Sequence, residues 1–149
     1  MPALSAPPEL GLSELYETDE TAWLELMAVL VEEGRFEELD AIHLSEFLTD
    51  MARRDRREVF SRLVVLMTHL LKWEFQQDKR SGSWESTIMQ QRLEVRLLLE
   101  SKTLRNHAVE ILNDAYDEAR SQAVKETGLE PEAFPQTCPF TIAELIAKL

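Results

Sequence analysis

The stretch Val59-Phe60-Ser61-Arg62-Leu63-Val64-Val65-Leu66-Met67-Thr68-His69-Leu70-Leu71-Lys72-Trp73 decides the fold class. Val59, Leu63, Leu66, Leu70 and Trp73 recur at spacings of three and four, which is the period of one helix face. Phe60, Val64, Met67 and Leu71 repeat the pattern one position on, as a second stripe. Arg62, Val65, His69, Lys72 and Gln76 are left on the remaining face. A helix apolar around so much of its girth is buried on most sides, so it is the central helix of a bundle.

Outward from this segment the chain reads as further amphipathic helix. Proline is absent between residues 9 and 130, and no stretch alternates apolar and polar residues as a half-buried strand would. Gly34, Gly82 and Gly128 each stand just beyond a helical pattern, where glycine takes the left-handed conformation without a Cβ penalty. The reading gives a first helix over residues 19–33, capped by Thr18 and buried through Trp23, Leu26, Met27 and Leu30. Asp40 caps a second, with Leu44, Phe47, Leu48 and Met51 inward. The third is the central helix, and Arg53-Arg54-Asp55-Arg56-Arg57 leaves open whether it continues the second. Ser83 caps a fourth over residues 84–100, with Trp84, Ile88, Gln91, Val95 and Leu98 on its stripe. The fifth covers residues 104–127, with Leu104, Ala108, Ile111 and Ala115 on one stripe and Val109, Leu112, Tyr116 and Ala119 on the next. After Pro131, Pro135 and Pro139, Thr141-Ile142-Ala143-Glu144 is a capping box that opens a short last helix. The expected architecture is all-α: a single-domain bundle over residues 16–149, with five main helices and a short C-terminal one, behind a loose leader at residues 1–15.

At 149 residues the chain buries about two-thirds of the surface its unfolded form exposes. Its longest apolar run is six residues, 26–31, against the roughly 20 needed to span a bilayer. Met1-Pro2-Ala3-Leu4-Ser5-Ala6-Pro7-Pro8 has no basic region followed by an apolar one, so no secretory signal is read there. The single Cys138 cannot form an internal disulfide, which fits a reducing cytoplasm. The net charge of −12 is unevenly placed. Residues 1–50 hold 13 acids and one base, Arg35, whereas residues 53–105 hold 12 bases and 7 acids. An acidic surface repels nucleic-acid phosphates and attracts basic partners, so nucleic acid is not the expected ligand.

The candidate site is the polar stretch between two tryptophans: His69, Lys72 and Trp73, then Arg80, Ser83 and Trp84, then Gln91 and Arg92. Gln91 stands on a core stripe, where an unpaired amide costs roughly 1–3 kcal/mol, so it must find partners. Lys72, Trp73, Arg80 and Trp84 fall at one end of the hairpin formed by helices three and four. One account is a buried clamp, with Lys72 or Arg80 bonding carbonyls at the end of helix three. The other is a basic, aromatic-walled pocket for an anion or an acidic side chain. His43, Glu46 and Asp50 share a helix face and, set beside His69, supply the ligand types of a metal site. Their spacing matches no ligand signature, so no metal or cofactor is assigned. There is no glycine-rich phosphate loop, nucleophile elbow, paired CxxC or HExxH.

The residues resemble a bacterial family, the domain of unknown function 29 family, over residues 15–145. The matching segments include Leu15-Tyr16-Glu17 with Trp23, Gly34-Arg35-Phe36, Leu39-Asp40, His69-Leu70-Leu71-Lys72-Trp73, Arg80, Ser83-Trp84, Thr87-Ile88, Gln91-Arg92, Tyr116 with Ala119-Arg120, Glu126-Thr127-Gly128-Leu129 and Cys138-Pro139-Phe140-Thr141. The chain departs at Ala41-Ile42-His43, where the family carries a Trp-Glu-Asn run, and at Glu46-Phe47, where it carries two acids. The resemblance implies an all-helical bacterial protein and transfers no catalytic residues. Small size, charge polarity and the missing motifs favour a non-enzymatic protein–protein interaction module with a protein partner, basic in character. A phosphate-directed enzyme or binder, with His69 as acid/base and Lys72, Arg80 and Arg92 on the anion, is the alternative. An antitoxin-like inhibitor of a basic protein is another. The apolar excess on helix three leaves self-association into a homo-oligomer open.

Overall fold

The computed structural model describes residues 11–147, and every regular element among them is helical. Helix α1 is Leu12–Thr18, α2 is Glu20–Glu32, α3 is Ala41–Phe75, α4 is Gly82–Leu98, α5 is Lys102–Thr127 and α6 is Ile142–Ile146. Short 3-10 turns at Phe36–Glu38, Gln77–Lys79 and Pro131–Ala133 lie in three of the connections. No helix among the described residues is long and apolar enough to cross a membrane.

The all-α class is as expected, and five helices of seven residues or more are followed by a short one. The same count is reached by a different division of the chain. Residues 12–15, assigned to the leader, begin α1; the leader's residues 1–10 lie outside the described residues. The second and third expected helices are one, 35 residues long. No glycine or proline interrupts residues 41–75, and Asp50, Arg54 and Glu58 alternate charge at four-residue spacing, which supports helix through the basic run.

Several caps shift. Thr18 ends α1, bonding the Glu14 carbonyl at 2.7 Å, and Asp19 caps α2 by accepting from the Ala22 N–H at 3.1 Å. Ser81 rather than Ser83 caps α4, accepting from the Trp84 N–H at 3.3 Å. Gly82 is thus the first residue of α4 and has no positive φ. Asp40 and Thr141 cap as read, accepting from the N–H groups of His43 and Glu144 at 3.4 and 3.2 Å.

The chain packs as two compact units, one through Ala52 and one from Arg53 onward, and α3 runs through both. In the first unit Leu15, Trp23, Met27 and Leu30 are buried, with Tyr16, Leu39, Leu44 and Phe47 packed around them. Leu48 is 60% exposed instead of inward, whereas Leu44 and Phe47 pack against the small core. In the second unit Val59, Leu63, Leu66, Met67 and Leu71 of α3 form a core with Ile88 and Val95 of α4 and with Phe134, Ile142 and Leu145. Helix α5 contributes Ala108, Ala115, Ala119 and Ala123, all fully buried. These small side chains let α3 and α5 approach until the Thr68 hydroxyl stands 3.4 Å from the Ala119 carbonyl. Val109 lies outside that alanine face and is 62% exposed, against the expected second stripe.

Gly34 and Gly128 both have φ of 72°, and Gly128 ends α5 with its N–H on the Val124 carbonyl at 2.9 Å. No atom lies within 4 Å of a Cβ built at Gly128, so the backbone conformation alone opposes a side chain there. Gly128→Ala is expected to destabilise the fold by about 1–2 kcal/mol, read as a lower urea midpoint with unchanged slope.

Candidate functional site

The polar stretch is distributed over four junctions of the second unit. At the first, Lys72 leaves α3 and is only 8% exposed. Its ammonium lies 4.7 Å from the centre of the Trp84 ring of α4 and 3.5 Å from Oε2 of Glu126 on α5. One cation therefore touches three helices, its stem covered by apolar surface and its charge met by a π face and a carboxylate.

At the second junction Arg80 folds back over the end of α3. Its Nε donates to the Trp73 carbonyl at 2.7 Å and its guanidinium lies 4.6 Å from the Trp73 ring centre. The last carbonyls of a helix have no partner within it and form the negative end of its dipole, so a cation suits the position twice over. The third junction joins α3 to α4. Gln91 is half-buried, and its Oε1 accepts from Arg62 at 3.4 Å, while Arg62 Nε donates to Glu58 at 2.9 Å. The amide expected in the core thus lies at its edge and finds a charged donor.

The fourth junction holds the chain's end. Arg92 donates to the Ala147 carbonyl at 3.3 Å and Arg96 to the Ile146 carbonyl at 3.0 Å, so two guanidinium groups of α4 close the C-terminus of α6. Burial lowers the Arg92 pKa, and the neighbouring Arg96 charge lowers it further. His69 joins none of these groups. Its Nδ1 faces the Val65 carbonyl one turn back at 2.9 Å, which requires Nδ1 to carry the proton. Ser83 is exposed on the first turn of α4.

None of these eight side chains lines the two clefts described on this unit. One, of about 380 Å³, is lined by Asp117, Arg120, Ser121, Val124, Lys125 and Pro131. The other, of about 470 Å³, lies between Phe75, Arg120 and residues 132–136. No group of three or more His, Cys, Asp or Glu side chains among the described residues could hold a metal ion. Cys138 is half-buried, its pKa raised by burial, with its sulfur 3.4 Å from the Phe140 carbonyl.

Two groupings escaped the sequence reading. The segment after α5 is tied down by Tyr116, which donates to the Pro135 carbonyl at 2.5 Å, and by Arg120, which donates to the Pro131 carbonyl at 2.7 Å. Burial pushes the Tyr116 phenol up to about 12. In the first unit Asp40 does more than cap α3. Its Oδ2 accepts from the Trp23 indole at 3.2 Å and faces His43 Nδ1 at 2.8 Å, and the Tyr16 ring lies 4.5 Å from the imidazole. A carboxylate behind Nδ1 orients an imidazole as a general base requires, but the same contacts pin α2 to the start of α3. The Asp40-x-x-His43 spacing was the available signal, since it places His43 on the first turn that Asp40 caps.

Burial pushes the Asp40 carboxyl up, but the hydrogen bonds from His43 and Trp23 outweigh it and hold the group below its usual value. A carboxyl depressed in the folded state binds fewer protons there than in the unfolded chain. Its stabilisation is therefore full above about pH 4 and is lost as pH falls through the folded value. Asp40→Asn is expected to cost about 1–2 kcal/mol at neutral pH, with the difference shrinking in denaturation curves taken below about pH 4. Lys72→Ala and Arg80→Ala are expected to cost roughly 1–2 kcal/mol each, through lost packing and an unpaired carbonyl. Thermal melts of the purified variants check this.

The family described as "Domain of unknown function DUF29" matches residues 15–148, nearly the whole chain, and the protein belongs to that family. No curated protein matches the chain, and no solved structure does.

Proposed function

We propose that this member of the domain of unknown function 29 family is a non-catalytic protein-interaction module whose acidic first unit receives a basic partner protein. The observation that carries this reading is the division of labour among the charges. In the polar stretch, Lys72, Arg80, Gln91 and Arg92 each reach a neighbouring helix, a tryptophan face or a helix-terminal carbonyl. They serve as joints between elements, so they are poorly placed to converge on a substrate. The acidic third of the chain is different. Its one base between residues 1 and 50 is Arg35, which is held in a fork by Glu38 and paired with Glu33 at 2.9 Å. The fork holds the Glu38 carboxyl below its usual range. Residues 1–50 carry a net charge of −12, and their only Lys or Arg is already committed.

Such a field steers a basic partner onto the surface and repels polyanions, so it favours a basic protein over nucleic acid as the ligand. The contact weakens as salt screens it, since exposed charges farther apart than about 8 Å are largely screened at physiological ionic strength. Photo-crosslinking residues placed at Glu20 and Glu37, both exposed, are expected to trap one discrete protein adduct in cells. The same adduct should be lost from extracts brought to high salt before irradiation. Absence of a discrete adduct from every acidic position, together with salt-insensitive turnover of a phosphate ester by the pure chain, would favour the enzymatic reading instead.

A further inference from the structure

On the first half of α3, Ala41, Ser45, Leu48 and Ala52 follow one another at i, i+4, i+7 and i+11, with Ile42 and Thr49 beside them. All six are exposed, Ile42 at 81% and Leu48 at 60%. No Lys, Arg, Asp or Glu stands among them over about three turns. The exposed side of an amphipathic helix ordinarily carries such residues, and a continuous bare strip marks a surface that another molecule covers.

The two borders of the strip differ. On one side Leu44 leads into the face that packs against the small core. On the other stand Glu46 and Asp50, four and eight positions after Ile42 and both exposed. Glu37, also exposed, lies in the short turn that precedes α3. Residues 36–52 hold five acids and no Lys or Arg, and the first bases beyond them are Arg53 and Arg54. Cationic groups are therefore favoured beside the first turns of the strip and opposed at its end. Along its middle, Ala41, Ser45 and Ala52 are small. The distance between two packed helices is set by the side chains at their contact, so small ones let a second helix lie close.

We infer that this strip receives an amphipathic helix of the partner protein, with its apolar stripe on Ile42 and Leu48 and its Lys or Arg side chains beside Glu37 and Glu46. The inference rests on the reception of a basic protein proposed above, and adds the partner's shape and the place where it sits. The acids set direction and register, while the strip takes the apolar anchors that a docked helix presents at i, i+3 or i+4, and i+7.

Fluorescence anisotropy with two labelled peptides tests this. Both contain only leucine and lysine, in equal composition, over about five helical turns. One gathers its leucines on a single helix face, and the other spreads them around the helix. The full chain is expected to bind the first about tenfold or more tightly than the second. Ile42→Ser/Leu48→Ser should remove that preference and leave binding of the second peptide unchanged. Glu37→Gln/Glu46→Gln should weaken both peptides, and Val109→Ser, an exposed apolar position on α5, should weaken neither. The substituted residues are all exposed, so thermal melts should show every variant folded. Equal binding of the two peptides, weakened by the glutamine variant and untouched by the serine variant, would overturn the inference and leave the basic-partner reading standing. Binding of neither peptide would overturn both. A preference lost equally in Val109→Ser would overturn the inference by placing the apolar contact elsewhere. So would a sedimentation mass above 17.2 kDa that falls to the monomer's in Ile42→Ser/Leu48→Ser, which would make a second copy the occupant.

Discussion

The continuous hydrogen-bond ladder of α3 is the constraint on which the remaining structure depends. Its 35 residues extend about 52 Å, and neither glycine nor proline breaks the ladder between Ala41 and Phe75. The first half of the helix carries Leu44 and Phe47 to the small core around Trp23. The second carries Val59, Leu63, Leu66, Met67 and Leu71 to the larger one. A single backbone element thus supplies part of both cores, and the basic run from Arg53 to Arg57 lies on it between them. Asp50 and Glu58 stand four residues to either side of Arg54, so the run does not oppose the helix as five uncompensated cations would.

Around that element the fold is closed by side chains that reach backbone carbonyls. Arg80 bonds the end of α3, Arg92 and Arg96 bond the end of α6, and Arg120 and Tyr116 bond the segment that follows α5. The arginines at α3 and α6 work for one physical reason. A helix C-terminus exposes unpaired acceptors at the negative end of its dipole, and guanidinium supplies several donors with a positive charge. Five cations of the basic middle, Arg62, Lys72, Arg80, Arg92 and Arg96, are therefore held by contacts within the second unit. In the acidic beginning Asp19 and Asp40 cap helices, and Arg35, its only Lys or Arg, is paired with Glu33 and Glu38. That asymmetry, more than any single residue, directs attention to the first unit as the surface that meets other molecules.

Much of the helical layout was legible in the residues. The buried stripes of the central helix, the Trp23–Met27–Leu30 face, the caps at Asp40 and Thr141 and the glycine ends at Gly34 and Gly128 all follow from local spacing. Periodicity repeats within a few residues and leaves its mark wherever one side of a helix is apolar. The misreadings arose where two local signals competed. Thr18 and Asp19 are both good caps, as are Ser81 and Ser83, and the choice depends on which backbone N–H lies within reach. Leu12 and Leu15 belong to a helix of seven residues, too short for its period to stand out beside a proline-rich beginning.

The sequence by itself determined the helical class, the faces that are buried and the uneven distribution of charge, because each is a property of neighbouring residues. Only the tertiary structure decided what the side chains of the polar stretch meet. Lys72 meets Glu126 across 54 positions and Arg92 meets Ala147 across 55, and no local pattern specifies a partner that distant. Once the helices pack, Lys72, Arg80, Gln91 and Arg92 reach across to other helices or to helix ends, whereas His69 bonds within its own helix and Ser83 stays exposed. Ile42 and Leu48 are the counterpart: ordinary apolar residues by spacing, exposed because Leu44 and Phe47 already occupy the side of α3 that faces the core.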